Sequence, residues 1–181
     1  MPSLDPNVRQ MVADALERYA ETRGERRLIP RGAEKIPYLY RSFLDGKQAV
    51  DGEPGLFLHK FVASDPLNQL HNHPWKWSVS FILDGTYRET RTTPFREYED
   101  GTIKFNPPKT VDHGPGSINL ISDIDYHRVT LITPYVWTLF LHGPRTGVWG
   151  HAEENYDKPV KPTIVTKRTF DVRDKVTKAV R

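Results

Sequence analysis

His71-Asn72-His73 stands just ahead of the apolar run Trp77-Ser-Val-Ser-Phe-Ile-Leu83 and the turn pair Asp84-Gly85. Histidines two residues apart on an extended segment point to the same side, so one strand would offer two imidazoles to one metal ion. With seven histidines in 181 residues, some His-x-His pair arises by chance in about one chain in four, so the surroundings must carry the assignment. A third histidine, His127, lies in the apolar-rich stretch Asp125-Tyr-His-Arg-Val-Thr-Leu-Ile132 and shares strand parity with Val129 and Leu131. Three neutral imidazoles with coordination positions left open suit a catalytic metal.

Period-two alternation carries the His71/His73 face through Trp75 and Trp77 to Val79, Phe81 and Leu83, an apolar row that would line the inside of a barrel. The same parity sets His59 beside Phe57 and Phe61, and His142 in line with Val136, Thr138 and Phe140, as further lining groups. His113 and His151 fall in turn-rich segments and read as ordinary polar residues. Arg145, behind Gly143-Pro144, is placed to fix a substrate carboxylate or phosphate through two parallel hydrogen bonds. Tyr87 is a candidate general acid with His59 as base, and Trp77 a candidate substrate wall with His142 and Arg145. The chain has no glycine-rich phosphate loop, serine-centred elbow or nucleotide fingerprint.

The elements that must position these residues read as short strands. Fifteen Pro and twelve Gly are scattered along the chain, and such punctuation favours many turns over long helices. Candidate strands fall at 56–62, 76–83, 86–92, 117–122, 126–132 and 136–142, with one more at Thr102 to Phe105 in an otherwise proline-rich connection. An antiparallel sandwich or barrel is the economical arrangement for them. Before them, residues 6–23 place Val8, Met11, Val12, Ala15, Leu16 and Tyr19 at helical spacing with Gly24 as a stop, while 25–54 carry no clear pattern. The expected division is therefore 1–54 as a helix and connecting segment, 55–157 as the barrel, and 158–181 as a basic extension.

The absence of cysteine excludes disulfides, thiolate ligands and a cysteine nucleophile, so a transition metal would be held by histidine and carboxylate. No window approaches the roughly 18 apolar residues of a membrane span, and the start Met-Pro-Ser-Leu-Asp-Pro is unlike a cleaved signal. A cytoplasmic protein without membrane contact is the expectation. The net charge of +3 hides an asymmetry: 158–181 hold eight Lys or Arg against two Asp. A solvated tail is the plainer reading of that segment, and nucleic acid or another acidic partner the alternative.

With these residues in hand, the chain resembles the cupin superfamily. Leu70-His-Asn-His-Pro-Trp75, the apolar strand after it, Gly85-Thr-Tyr87, and Pro115-Gly-Ser117 ahead of His127 are similar to the two cupin motifs over roughly residues 55–150. Phe57-Leu-His-Lys-Phe61 and Thr138-Leu-Phe-Leu-His-Gly-Pro-Arg-Thr-Gly-Val-Trp-Gly150 further resemble a group of bacterial and phage cupin-like proteins. The resemblance implies an all-β, double-stranded β-helix (jelly-roll barrel) with an N-terminal α-helix and a basic C-terminal extension. It departs from the family where Trp77 and Ser78 stand in place of the glutamate ligand, and where His127 lies eleven residues after Gly116. The site it implies is a three-histidine one like that of thiol dioxygenases, with Glu89 as a spare carboxylate.

The expectation is a metal-dependent enzyme, foremost a non-haem iron oxygenase acting on a small polar or anionic substrate. The metal is expected to be Fe(II), with Zn or Ni supporting hydrolysis or isomerisation instead, and the assembly a homodimer. Two alternatives stay open: a non-catalytic module binding a small ligand or sugar, and a metal-independent epimerase or isomerase using His71 or His59 with Tyr87.

Overall fold

A computed structural model describes residues 5–22, 26–31, 35–44, 53–145 and 148–164. Of the expected basic segment, residues 158–164 are described and 165–181 lie outside the described residues. The chain opens with a helix, α1 (Pro6–Thr22). Asp5 caps it by accepting the Asn7 N–H at 2.8 Å, and Pro6 takes the first helical position, where no N–H is needed.

Strands follow in two antiparallel six-stranded sheets. Sheet A runs β1 (Arg26–Arg31), β2 (Ile36–Phe43), β3 (Gly55–Phe61), β12 (Val136–His142), β5 (Trp77–Asp84) and β10 (Ile118–Ser122) in spatial order. Sheet B runs β14 (Thr163–Ile164), β13 (Gly150–Glu153), β4 (Gln69–His71), β11 (Tyr126–Leu131), β6 (Tyr87–Thr92) and β9 (Lys109–His113). From β3 to β6, and again from β9 to β13, successive strands alternate between the sheets. That winding makes the fold an all-β, cupin-type jelly roll. A separate hairpin, β7 (Pro94–Glu97) with β8 (Ile103–Phe105), is inserted between β6 and β9. No helix among the described residues is long and apolar enough to cross a membrane.

Each sheet is covered on its outside. Leu16 and Ala20 of α1 pack on Leu58, Leu83 and Trp137 of sheet A, while the hairpin brings Ile103 and Phe105 against Leu70 and Ala152 of sheet B. The buried face of α1 differs from the expected stripe. Ala13, Leu16 and Ala20 turn inward, and Val8, Met11 and Tyr19 remain exposed. Glu17 accounts for the rotation, since its carboxylate accepts from Arg26 at 2.7 Å and Lys60 at 2.6 Å and so pins that side of the helix to sheet A.

The six expected strands are β3, β5, β6, β10, β11 and β12, and Thr102–Phe105 contains β8. The unpatterned stretch before residue 55 contains β1 and β2, which extend sheet A beyond β3. The turn at Asp84-Gly85 is also present. Gly85 has φ +78°, and a Cβ there would lie 2.2 Å from the Tyr135 carbonyl oxygen, so glycine is required. The parity expected along β5 is corrected. Ser78, Ser80 and Ile82 face in, whereas Trp77 and Phe81 face out. His71 and Trp77 belong to strands of different sheets, with Asn72 to Lys76 crossing between them, so alternation does not carry through Pro74.

Candidate metal centre

Strand β4 holds His71 between two partners, opposite His127 of β11 on one side and His151 of β13 on the other. Leu70 anchors the strand in the outer core of sheet B. Asn72 fixes the turn beyond it: its side chain accepts the Gly150 N–H at 2.7 Å and donates to the Val148 carbonyl at 3.0 Å. With Leu70 and Asn72 committed to the outside, His71 and His73 are left facing in. The ten residues between Gly116 and His127 are taken up by β10 and a turn in which Asp125 accepts the Ser122 N–H at 2.7 Å.

The nitrogens offered by His71, His73 and His127 all lie within 4.8 Å of one another. Nε2 of His73 is 2.9 Å from Nε2 of His127, and the rings of His71 and His127 are 4.4 Å apart. Two nitrogens at right angles around one metal, each about 2.1 Å from it, lie about 3 Å apart. The donor set and its spacing therefore fit a divalent ion.

A hydrogen bond behind His127 fixes its tautomer. His127, 3% exposed, donates its Nδ1–H to Glu89 Oε1 at 2.6 Å, which leaves the Nε2 lone pair turned to the cluster. His71 Nδ1 has the Asp65 carboxylate 3.6 Å away; that carboxylate is itself held by the Val129 N–H at 2.6 Å. A carboxylate on the far nitrogen is the usual support of a metal-bound imidazole. Glu89 thus backs a histidine rather than offering itself as a ligand. Around it, Arg91 donates at 2.7 Å and Asn119 at 3.0 Å, and Arg91 also bonds the Asn119 side-chain oxygen.

The electrostatics favour unprotonated His71 and His73. Burial, with His127 and His151 nearby, pulls His71 down to about 4, despite Asp65 and Glu89. Burial and the neighbouring His127 and His71 hold His73 well below the usual imidazole range. Burial alone would raise Glu89, yet His113 at 3.5 Å, the hydrogen bond from His127 and the charge of Arg91 bring it below the ordinary carboxylate range. Neutral imidazoles with an ionised carboxylate behind one of them are the states a cation requires.

The other expected site residues are spread over the interior. Tyr87 is buried, accepts from Asn119 at 2.9 Å and packs on His113; burial foremost raises its phenol well above the ordinary value. His59 and His142 lie on the inner face of sheet A. His142 donates Nδ1–H to the Gly143 carbonyl at 2.8 Å and stacks on Trp75, which in turn stacks on His73. Gly55 makes room for His142, since a Cβ there would come within 2.5 Å of its Nε2. Trp77, 40% exposed, sits on the outer face against Gly143, away from the three histidines. Arg145 forms a backbone bridge with Trp75. His113 and His151 are strand residues, on β9 and β13, and both face the ligand cluster or its support. Sequence reasoning missed Asp65 and Arg41. Asp65 lies in Ser64-Asp-Pro66 with no pattern around it, while Arg41 is marked only by strand parity with Phe43.

No family model and no curated protein matches the sequence. Among solved structures the chain is similar to hydroxypropylphosphonic acid epoxidase from S. wedmorenis, at 12% identity and TM-score 0.44, covering 66% of this chain and 56% of that one. It is also similar to the hydroquinone 1,2-dioxygenase PnpCD in complex with Cd2+ and 4-hydroxybenzonitrile (12%, TM-score 0.39, 54% and 63% covered). KdgF from Halomonas sp. is a third (13%, TM-score 0.40, 64% and 86%). The chain spans little more than half the length of the epoxidase. Likeness of this size says nothing of ligand or reaction.

Proposed function

We propose that the barrel is a metal-dependent enzyme in which His71, His73 and His127 hold one divalent ion, and that with Fe(II) it oxygenates a small polar or anionic substrate. The observation that carries this reading is the Glu89–His127 bond of 2.6 Å, behind a nitrogen 2.9 Å from His73 Nε2. A metal held there supplies Lewis acidity and, as iron, electrons for dioxygen chemistry. Three neutral ligands would leave its charge undiminished, which favours an anionic substrate. The chain's own part is to keep the ligand nitrogens free of protons, to fix the His127 ring through Glu89, and to wall the site with Trp75 and Phe140 beside His73.

Metal analysis of the full chain, purified without chelator or affinity tag, tests this. One equivalent of a divalent metal, lost in His73→Ala, is expected. Absence of stoichiometric metal, or its retention in that variant, overturns the reading. Oxygen uptake by the Fe(II)-loaded protein over a panel of small organic acids then separates oxygenation from hydrolysis or isomerisation.

A further inference from the structure

Arg41, His59 and Thr138 are register partners on the adjacent strands β2, β3 and β12, so they form one row across the inner face of sheet A. Arg41 donates its Nε–H to His59 Nε2 at 2.9 Å, and its guanidinium lies 4.4 Å from the centroid of the Phe57 ring. The ring beneath and the bond at Nε fix the plane of the fork. Its terminal N–H groups form no hydrogen bond or ion pair with any described residue. Because His59 Nε2 accepts, the proton of the neutral ring is on Nδ1. That Nδ1–H is buried without a partner on a residue 2% exposed, and the Thr138 hydroxyl, 0% exposed, is likewise unmatched. Buried polar groups are normally paired, and a cation without a counter-ion is costly. Phe140 links this row to the metal centre, 5.0 Å from the His59 ring and 5.9 Å from His73.

We propose that the free end of Arg41, held in place by His59, binds the carboxylate of a small organic acid whose other end lies at the three histidines. The inference rests on the metal-centre reading for where the reacting end sits, and on the row alone for the carboxylate. A guanidinium edge matches two carboxylate oxygens, and one fixed cation balances a single negative charge rather than a phosphate dianion. Burial, and after it the charge of Arg27, lowers Arg41 to about 10, in keeping with a cation that lacks an acidic neighbour among the described residues.

Acetate, acetamide and inorganic phosphate are the probes, titrated into the metal-free full chain while the imidazole 15N signals of His59 are followed. Acetate is expected to shift the His59 Nε2 signal, which reports the bond from Arg41. Acetamide and phosphate are expected to leave it in place. Arg41→Met should weaken acetate binding by about tenfold or more, with Arg41→Lys intermediate, and His73→Ala should retain it. An unmoved His59 signal in the unaltered chain, equal binding of acetamide, preference for phosphate, or loss of binding in His73→Ala would each overturn the proposal. The unaltered chain decides even if Arg41→Met fails to fold. Metal binding is measured separately, so acetate binding without metal sinks only the metal reading, and metal without acetate sinks only this one.

Discussion

The barrel's two walls present histidines to one interior and give them opposite partners. On the sheet B side, His127 donates Nδ1–H to Glu89 and His71 has Asp65 at its Nδ1. On sheet A, His59 accepts from Arg41 through Nε2, and His142 gives Nδ1–H to a backbone carbonyl, stacks on Trp75 and meets Phe57 at a tilt. A carboxylate behind an imidazole fixes its tautomer and makes the free nitrogen a better donor. A guanidinium in front of one occupies the lone pair a metal would need. Between His71 and His127 on one wall and His59 and His142 on the other, the group on the second nitrogen separates candidate ligands from lining residues.

Removing a ligand should break this contrast most strongly. His127→Ala is expected to lower metal affinity by more than the roughly 100-fold upper end seen for supporting residues, read by competition with a colorimetric chelator. Affinity within tenfold of the unaltered chain would show that the cluster is not the site. Glu89→Gln keeps the shape of the support and removes its charge, so a loss of about 10- to 100-fold is expected in the same assay. Glu89→Ala also leaves Arg91, Asn119 and His127 facing an unfilled buried site. It should cost about 3–5 kcal/mol in denaturant unfolding, the range for breaking a buried ion pair.

Acid should separate the histidines from their support by pH window. His71, ordinarily near 6.5, is held at about 4 in the fold, with His73 lowered as well. Below 6.5 the unfolded chain takes up protons that the folded one refuses, so the metal-free protein should lose stability as pH falls from 6.5 toward 4 and be level above 6.5. Glu89 is lowered too, and its contribution, present above its unfolded value of about 4.3, goes only below that. Melting temperatures across pH 3–8 check this: His71→Phe should reduce the slope of the upper window, to which His73, His59 and His151 also contribute, and Glu89→Gln should reduce that of the lower. A profile unchanged in both variants would contradict the assigned states.

Much of this arrangement was legible in the residues. Spacing of apolar residues between turn signals located β3, β5, β6, β10, β11 and β12, and parity within β11 turned His127 inward. What failed did so where a long-range contact overrode a local period. Glu17's ion pairs with Arg26 and Lys60 rotated α1, and the crossing between sheets after His73 reversed the parity of β5, sending Trp77 outside. Short strands such as β4 and β13, three and four residues long, hold too few side chains to show alternation. Glu89 was noticed without its role because its partner lies 38 residues away in sequence, and Asp65 carried no mark at all.

The smallest expected effect tests the contrast from its other side. His59→Gln removes an imidazole as deeply buried as His127, so a site defined by histidine count alone would predict a large loss of metal. Phe140 stands between the His59 and His73 rings, and no hydrogen bond joins the Arg41–His59 pair to the Glu89 network among the described residues. Metal affinity should therefore change by less than about twofold, and combining His59→Gln with Glu89→Gln should give additive losses to within about 0.5 kcal/mol, as for sites that share no partner. A tenfold loss in the single variant, or strong coupling in the double, would mean that the two walls act on the ion as one unit and that the partner on the second nitrogen does not decide which histidines bind it.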